Sequence, residues 1–212
     1  MVKEGYLFSA PLLFVGLVLV GLKYTFLRNS TWPSWLAGLC FFLAVFVLYF
    51  FRDPERLIPE DPSAVVSPAD GRVVDIVDES WEGRSGKRIS IFLAVWNVHV
   101  QRAPVAGTIR RLDYRPGKFF AAMRARASVE NEQNVFTMAT PRGEIMFKQI
   151  AGWIARRVVS WKAAGDVVSR GERVGMIRFG SRVDVWLPAD AVIVVHKGQN
   201  VAGGSDILAR WP

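Results

Sequence analysis

The sequence predicts a mainly β (α+β) protein: a β-rich, barrel-sandwich-like domain with one short helix, preceded by an N-terminal hydrophobic helical hairpin. Three observations predict it. Residues 5–22 and 29–51 carry no charge over 18 and 23 positions. Segments rich in Val, Ile and aromatic residues follow, at 71–79, 87–101, 107–115, 135–140, 143–150, 155–161, 172–188 and 191–198, separated by Gly, Pro or Asp. A single Ala-rich stretch, 117–131, has helical character.

The hairpin comes first. About 20 apolar residues in a helix span a hydrocarbon core of roughly 30 Å, so the second run is long enough and the first is marginal. Tyr6, Tyr24, Trp32, Trp35 and Tyr49 lie near the run ends, where amphipathic rings favour the membrane interface. Pro33 helps set the turn before the second helix. A buried helix pair in a soluble protein is the alternative, and the charge-free length argues against it. A secretory signal is also disfavoured, because no clear small-residue cleavage site precedes the second run. Basic residues flank both sides of the hairpin in nearly equal number, so orientation is weakly specified.

Four prolines between residues 54 and 68 (Pro54, Pro59, Pro62, Pro68) make an extended linker that neither helix nor central strand tolerates. The expected division is therefore an anchor at 1–52 and a β-rich domain at 53–212. Residues 164–180 and 196–210 share a pattern of Gly, polar turn, Val and Gly, like the hairpins of lipoyl-type domains, which chiefly indicates tight turns.

Charge narrows the partners. The chain has 212 residues, with 27 Lys+Arg against 19 Asp+Glu and a net charge of +8. A basic domain beside a bilayer is drawn to anionic head groups. No recognition-helix pattern accompanies the charge, so an anionic membrane surface is favoured over nucleic acid. One cysteine, Cys40, excludes an intramolecular disulfide and a Cys-rich zinc site. Two histidines, His99 and His196, leave little for metal chemistry, and no metal is expected. An enzyme built from this chain must find its reactive group elsewhere.

Three local features are candidates. Asp70 precedes Gly71 in SPADG, where an Asp most often satisfies a turn. His99 lies in an apolar strand-like run, where alternation puts it on a face with Val95 and Asn97; a strand His is usually structural. Gly180-Ser181 interrupts a strand-like run, usually the mark of a bulge, and Gly204-Ser205 is a second Gly-Ser that competes with it. Asp70, His99 and Ser181 also compose a formal hydrolase triad that spacing alone does not confirm.

The residues resemble a family. The blocks YFFRDPER (49–56), SPADGRV (67–73), WNVHVQRAPVAG (96–107), YRPGKFFAA (114–122) with ASVENEQN (127–134), and GMIRFGSRVDVWLP (175–188) are similar to those of the short, membrane-associated branch of phosphatidylserine decarboxylases. Five ordered blocks are far more specific than one motif. The resemblance implies conversion of phosphatidylserine to phosphatidylethanolamine and CO2. It implies that the chain cuts itself between Gly180 and Ser181, leaving fragments 1–180 and 181–212 that stay associated. The cofactor would be a pyruvoyl group made from Ser181, forming a Schiff base with the substrate amine.

By the same resemblance, Asp70 belongs to the self-cleavage machinery and His99 lies near the reacting carbon as a proton donor. The long bacterial branch has a second histidine where this chain has Arg102, which leaves the base for cleavage open between His99 and Asp70. Arg102, Lys118, Arg124 and Arg126 are candidates to bind the lipid phosphate and carboxylate. Phe119 and Phe120 either dip into the interface or belong to the core. The expected location is the cell membrane, with the β-rich domain on the cytoplasmic side. Two other readings remain at this stage: a non-catalytic, membrane-anchored lipoyl-like β module, and an Asp/His/Ser hydrolase.

Overall fold

A computed structural model of the chain describes residues 1–121, 126–153, 157–178 and 180–212. Two compact units emerge, Met1–Pro54 and Glu55–Pro212. The first is a pair of helices, α1 (Lys3–Thr25) and α2 (Trp32–Phe50), each long and apolar enough to cross a membrane. Pro33 sits in the first turn of α2, where a missing N–H costs nothing. The buried face of α2 is Pro33, Ala37, Cys40 and Ala44, and that of α1 includes Gly5, Ser9 and Gly16. Small residues at this helical spacing let two apolar helices approach closely, which is how packing holds them where no water drives association. Between the helices, Lys23 Nζ donates to the carbonyls of Arg28 (2.6 Å) and Ser30 (2.7 Å), satisfying the turn.

The second unit is built from antiparallel strands. In chain order they are β1 (Ala64–Val66), β2 (Gly71–Trp81), β3 (Arg84–Leu93), β4 (Val100–Arg102) and β5 (Gly107–Arg115). The short helix α3 (Ala127–Glu130) precedes β6 (Gln133–Thr140), β7 (Gly143–Ala151), β8 (Val158–Ser160), β9 (Val167–Val168) and β10 (Arg173–Ile177). The remainder are β11 (Ser181–Pro188), β12 (Val192–Ile193), β13 (Asn200–Val201) and β14 (Ile207–Arg210). Eight strands form a curled half-barrel in the order β13-β2-β3-β11-β7-β6-β5-β9. Two three-stranded sheets, β1-β14-β12 and β4-β10-β8, complete the unit.

Period-2 alternation sets the two faces of the large sheet. Ile89, Ile91 and Leu93 on β3, Val183, Val185 and Leu187 on β11, and Ile145 and Phe147 on β7 point to one core, all fully buried. Phe136 on β6 pairs in register with Phe147, and their rings stack 4.4 Å apart. A one-residue slip would turn this whole set outward, so the core fixes the register.

The opposite face is polar yet also buried. Asp184 is fully buried and accepts from Arg182 Nε at 2.6 Å and from the Ser128 hydroxyl of α3. Arg182 also donates to Ser90 Oγ at 2.7 Å. Burial pushes the Lys148 ammonium below its ordinary pKa, and neighbouring Asp184 opposes that shift. Trp81 and Trp186 close the far end, with ring centroids 5.2 Å apart.

Three expectations are corrected. The helix expected over 117–131 is reduced to α3, because Lys118 instead forms a bridge with Asn131; residues 122–125 lie outside the described residues. The run 87–101 is two strands in different sheets, separated by a turn at 95–97. His99 therefore does not lie on one strand face with Val95 and Asn97. The run 172–188 is likewise divided, into β10 and β11.

Among the described residues, Asp184 is the only acid paired with Arg182, so its loss leaves a buried guanidinium uncompensated, whereas Arg88 keeps Glu79 and Asp75. Asp184→Ala should lower unfolding stability by about 3 kcal/mol. Guanidinium unfolding of the detergent-solubilised full chain, followed by tryptophan fluorescence, measures it.

Candidate active site

The Gly180–Ser181 bond lies where the chain leaves one sheet and enters another. β10 ends at Ile177 in the β4-β10-β8 sheet, and β11 begins at Ser181 in the large sheet. The crossing takes three residues, of which Phe179 lies outside the described residues. Gly180 has φ +55°, and a Cβ there would meet nothing within 4 Å. The position thus favours glycine for its backbone conformation and not for space. Ser181 is fully buried between Leu93 of β3 and Ala151 of β7. Its Oγ has no hydrogen-bond partner among the described residues. A buried hydroxyl without a partner is uncommon enough to need a reason.

His99 is 1% exposed and stands between the 95–97 turn and β4. Its Nδ1 lies 2.9 Å from the Asn97 carbonyl oxygen. A carbonyl only accepts, so Nδ1 carries the proton, and in the neutral ring Nε2 is the basic nitrogen. The His99 carbonyl accepts from the Ile177 N–H at 3.2 Å. His99 is thereby fastened to the last residue of β10, four positions before Ser181. The fold brings these two candidates to the same crossing.

Asp70 is placed differently. Its carboxylate accepts from Arg56 Nη2 at 2.8 and 2.9 Å and from the Gly203 N–H at 2.7 Å. Its hydrogen bonds go to these groups and not to His99 or Ser181. The Asp/His/Ser hydrolase reading needs a carboxylate on the histidine Nδ1, and here that partner is a backbone carbonyl. The Gly204-Ser205 segment has a structural role beside Asp70: the 202–206 turn supplies the Gly203 donor, and Gly204 N–H bonds the Ser67 carbonyl at 2.7 Å.

The candidate phosphate ligands are dispersed. Arg102 is 6% exposed, and its Nη1 donates to the Gly171 carbonyl at 3.0 Å, so its position in β4 makes it an interior residue. Lys118 is exposed and paired with Glu130 at 3.0 Å. Arg126 is an exposed residue at the start of α3. Arg124 lies outside the described residues. Phe119 packs against the main core, half-buried, and Phe120 lies beneath Lys118 Nζ, 5.5 Å from its ring centre.

Sequence reasoning missed a chain of buried amides that leads to His99. Asn134 Nδ2 donates to Gln149 Oε1 (3.0 Å), Gln149 Nε2 to Gln101 Oε1 (2.9 Å), and Gln101 Nε2 to the His99 carbonyl (2.8 Å). The three residues come from β6, β7 and β4, so the chain of bonds joins the large sheet to the sheet that carries His99. Gly175 makes room for it, since a Cβ there would fall 2.9 Å from Gln149 Nε2. Alternation carried the signal: Asn134 shares a face with Phe136 and Met138, and Gln149 with Ile145 and Phe147. Among the described residues, no cluster of three or more His, Cys, Asp or Glu is placed to hold a metal ion.

Comparison with known proteins decides the family. The family model described as phosphatidylserine decarboxylase matches residues 43–209. The chain belongs to the phosphatidylserine decarboxylase family. This is a family of carboxy-lyases. A relative from Solibacter usitatus is 51% identical over 182 residues, covering 84% of this chain and 87% of its own. One from Carboxydothermus hydrogenoformans is 45% identical over 180 residues, covering 83% and 84%. One from Desulfotalea psychrophila is 48% identical, covering 78% and 79%. Each of these is named a phosphatidylserine decarboxylase proenzyme. The matched stretch contains every described element from β1 to β13, including the crossing at Ser181 and the amide chain.

The amide chain generates a prediction. Gln149→Met keeps the volume but strands the Asn134 donor and the Gln101 acceptor. Unfolding stability should fall by about 2 kcal/mol, and hydrogen exchange at the Gln101 and Ile177 amides should accelerate. Exchange measured by mass spectrometry on the full chain in detergent checks both.

Proposed function

We propose that the chain decarboxylates phosphatidylserine to phosphatidylethanolamine with a pyruvoyl group that it makes from its own Ser181. The observation that carries this reading is the buried, unpartnered Ser181 Oγ next to Gly180 in a left-handed conformation. A hydroxyl that no described neighbour binds is free to attack the adjacent carbonyl carbon. Gly180 presents that carbonyl without side-chain bulk, in a conformation that costs other residues energy. The names of the relatives, all proenzymes, point the same way.

The step balances within the chain. Ser181 Oγ bonds to the Gly180 carbonyl carbon, the Gly180–Ser181 C–N bond breaks, and an ester with a free amine results. Loss of the Ser181 Cα proton expels the Gly180 carboxylate and leaves dehydroalanine. Tautomerisation and hydrolysis by one water release ammonia and leave a ketone at the new N-terminus. The ketone supplies an electron sink for a carboxylate adjacent to a primary amine, which no ordinary side chain offers.

The remaining roles fall to side chains already placed. His99, with Nδ1 bonded to the Asn97 carbonyl, takes up a proton on Nε2 and, as the doubly protonated ring, delivers it to the carbon that has lost CO2. Asn97 and the amide chain hold the ring and the backbone of His99. Asp70, tied to Arg56 and Gly203, is a positioning residue for self-cleavage. The fragments 1–180 and 181–212 remain associated as a heterodimer, because β11 lies between β3 and β7 in the interior of the sheet. The helices α1 and α2 anchor the chain in the cell membrane, with the basic unit on the cytoplasmic side against anionic lipid.

A denaturing mass spectrum tests the reading. The expected result is two fragments, the smaller of 32 residues with a blocked N-terminus, from Ser181 to Pro212. Ser181→Ala should give one uncut, inactive chain, and Ser205→Ala should cut normally. His99→Ala should abolish CO2 release from phosphatidylserine even where cleavage survives. An intact wild-type chain with an ordinary serine at 181 overturns the proposal.

A further inference from the structure

Among the described residues, several clefts open on the β-rich unit. One, of about 440 Å³, includes Glu60 among its lining residues, and another, of about 400 Å³, includes Glu55 and Glu172. A third, of about 930 Å³, has no carboxylate among its described lining residues. It is bounded by Arg72, Phe92, Ala94, Trp96, Asn97 and Lys197, with Gly198 and Asn200 at one wall. A cleft with two cations and no acid selects for an anion.

Its position brings it beside the turn that holds His99. Phe92 and Ala94 flank Leu93, the residue paired in register with Ser181. Asn97 supplies the carbonyl that holds His99 Nδ1, and its Oδ1 accepts from the Ala94 N–H at 2.8 Å. The cleft therefore runs along the turn that leads into His99, next to the β3 residue paired with Ser181, while Ser181 and His99 themselves are not among its lining residues.

The two cations are available for a ligand. Arg72 is exposed and donates through Nε to the Gly198 carbonyl at 3.1 Å. That bond orients the guanidinium and leaves both Nη groups for another acceptor. Lys197 is exposed on the same loop, and neither residue has a carboxylate partner among the described residues. Trp96 is 66% exposed on the turn beside them. An exposed indole next to cations suits a ligand that is anionic at one end and apolar at the other.

We propose that this cleft binds the headgroup of an anionic glycerophospholipid, with Arg72 and Lys197 on the phosphodiester and Trp96 at the glycerol–acyl boundary. The proposal rests on the decarboxylase reading and assigns its substrate site. It moves phosphate binding from Arg102 and Lys118, which have internal partners, to a pair contributed from both sides of the cleavage point. Lys197 belongs to the small fragment and Arg72 to the large one, so the site requires the two to remain together.

The experiment uses the self-cleaved full chain in detergent, with dihexanoyl phosphatidylserine and the deacylated glycerophosphoserine as substrates and CO2 release as readout. Lys197→Ala and Arg72→Ala should each raise the apparent KM for both substrates by on the order of tenfold, the effect of losing one charge-assisted hydrogen bond. Lys197→Arg should restore most of it. Trp96→Ala should raise KM for the acylated substrate and leave that for glycerophosphoserine within twofold.

Cleavage of each variant, read on a denaturing gel, separates folding from binding. Lys197, on an exposed loop, remains informative if Arg72→Ala does not fold. If Lys197→Ala is cleaved and keeps its KM within twofold, the cleft is not the phosphate site. An equal loss on both substrates for Trp96→Ala removes the indole from the acyl boundary. Failure of the wild-type chain to cleave defeats the decarboxylase mechanism instead, and is distinguishable from either result.

Discussion

The structure turns on a crossing between two sheets made in three residues. β10 must end in the sheet that holds His99, and β11 must begin at the centre of the large sheet. A chain that reverses allegiance so abruptly needs one residue outside the ordinary backbone regions, and Gly180 at φ +55° is that residue. The first residue after it enters the core, which buries the Ser181 hydroxyl where no donor or acceptor among the described residues meets it. Packing of the strands that flank β11 maintains this cost, since Leu93 and Ala151 fix where Ser181 must lie. Local strain and an unsatisfied polar atom persist only where the surroundings determine them fully.

Buried polar groups lie on both faces of the same sheet, and they serve different ends. On the core face, Asn134, Gln149 and Gln101 form one directed chain of donors that ends on the His99 carbonyl. Apolar residues there would pack equally well but would not fix the spacing between the sheets at atomic precision. On the outer face, Arg182, Asp184, Ser90 and Ser128 draw α3 onto β11. The strand that begins with Ser181 is therefore held from both sides by hydrogen bonds as well as by packing. Under the proposed cleavage at Ser181, this explains how the surroundings can keep their geometry when the chain no longer connects β10 to β11.

Much of the architecture was legible in the sequence, for identifiable reasons. The charge-free runs predicted α1 and α2, and the Val- and Ile-rich segments predicted the strands. Where two strands follow each other without a Gly- or Pro-rich break, as at 87–101, apolar content masked the turn at 95–97, because Val95 and Trp96 look like strand residues. The helix expected over 117–131 rested on alanine content, and tertiary bonds from Asn131 to the Phe120 backbone and the Ala151 carbonyl override that propensity. Ser181, His99 and Asp70 stood out through their blocks. The amide chain did not, because Gln and Asn carry no motif, and only their place in an apolar alternation distinguishes them from surface residues.

Net charge illustrates the same limit. The basic composition suggested a broadly cationic surface, yet many arginines are engaged within the fold. Arg56 binds Asp70, Arg182 binds Asp184, Arg84 and Arg110 share Glu144, and Arg170 donates to the carbonyls of Asp61 and Ala64. The Arg110 and Arg84 guanidiniums hold the Glu144 carboxyl below its usual range, which is the signature of a cation serving an internal acid. Counting charges cannot separate such arginines from those left for a ligand. Cations act on a partner only where the fold withholds carboxylates from them, and around Arg72 and Lys197 the fold places backbone carbonyls and aromatic rings instead. The electrostatics of this domain thus reside in the placement of its acids as much as in the number of its bases.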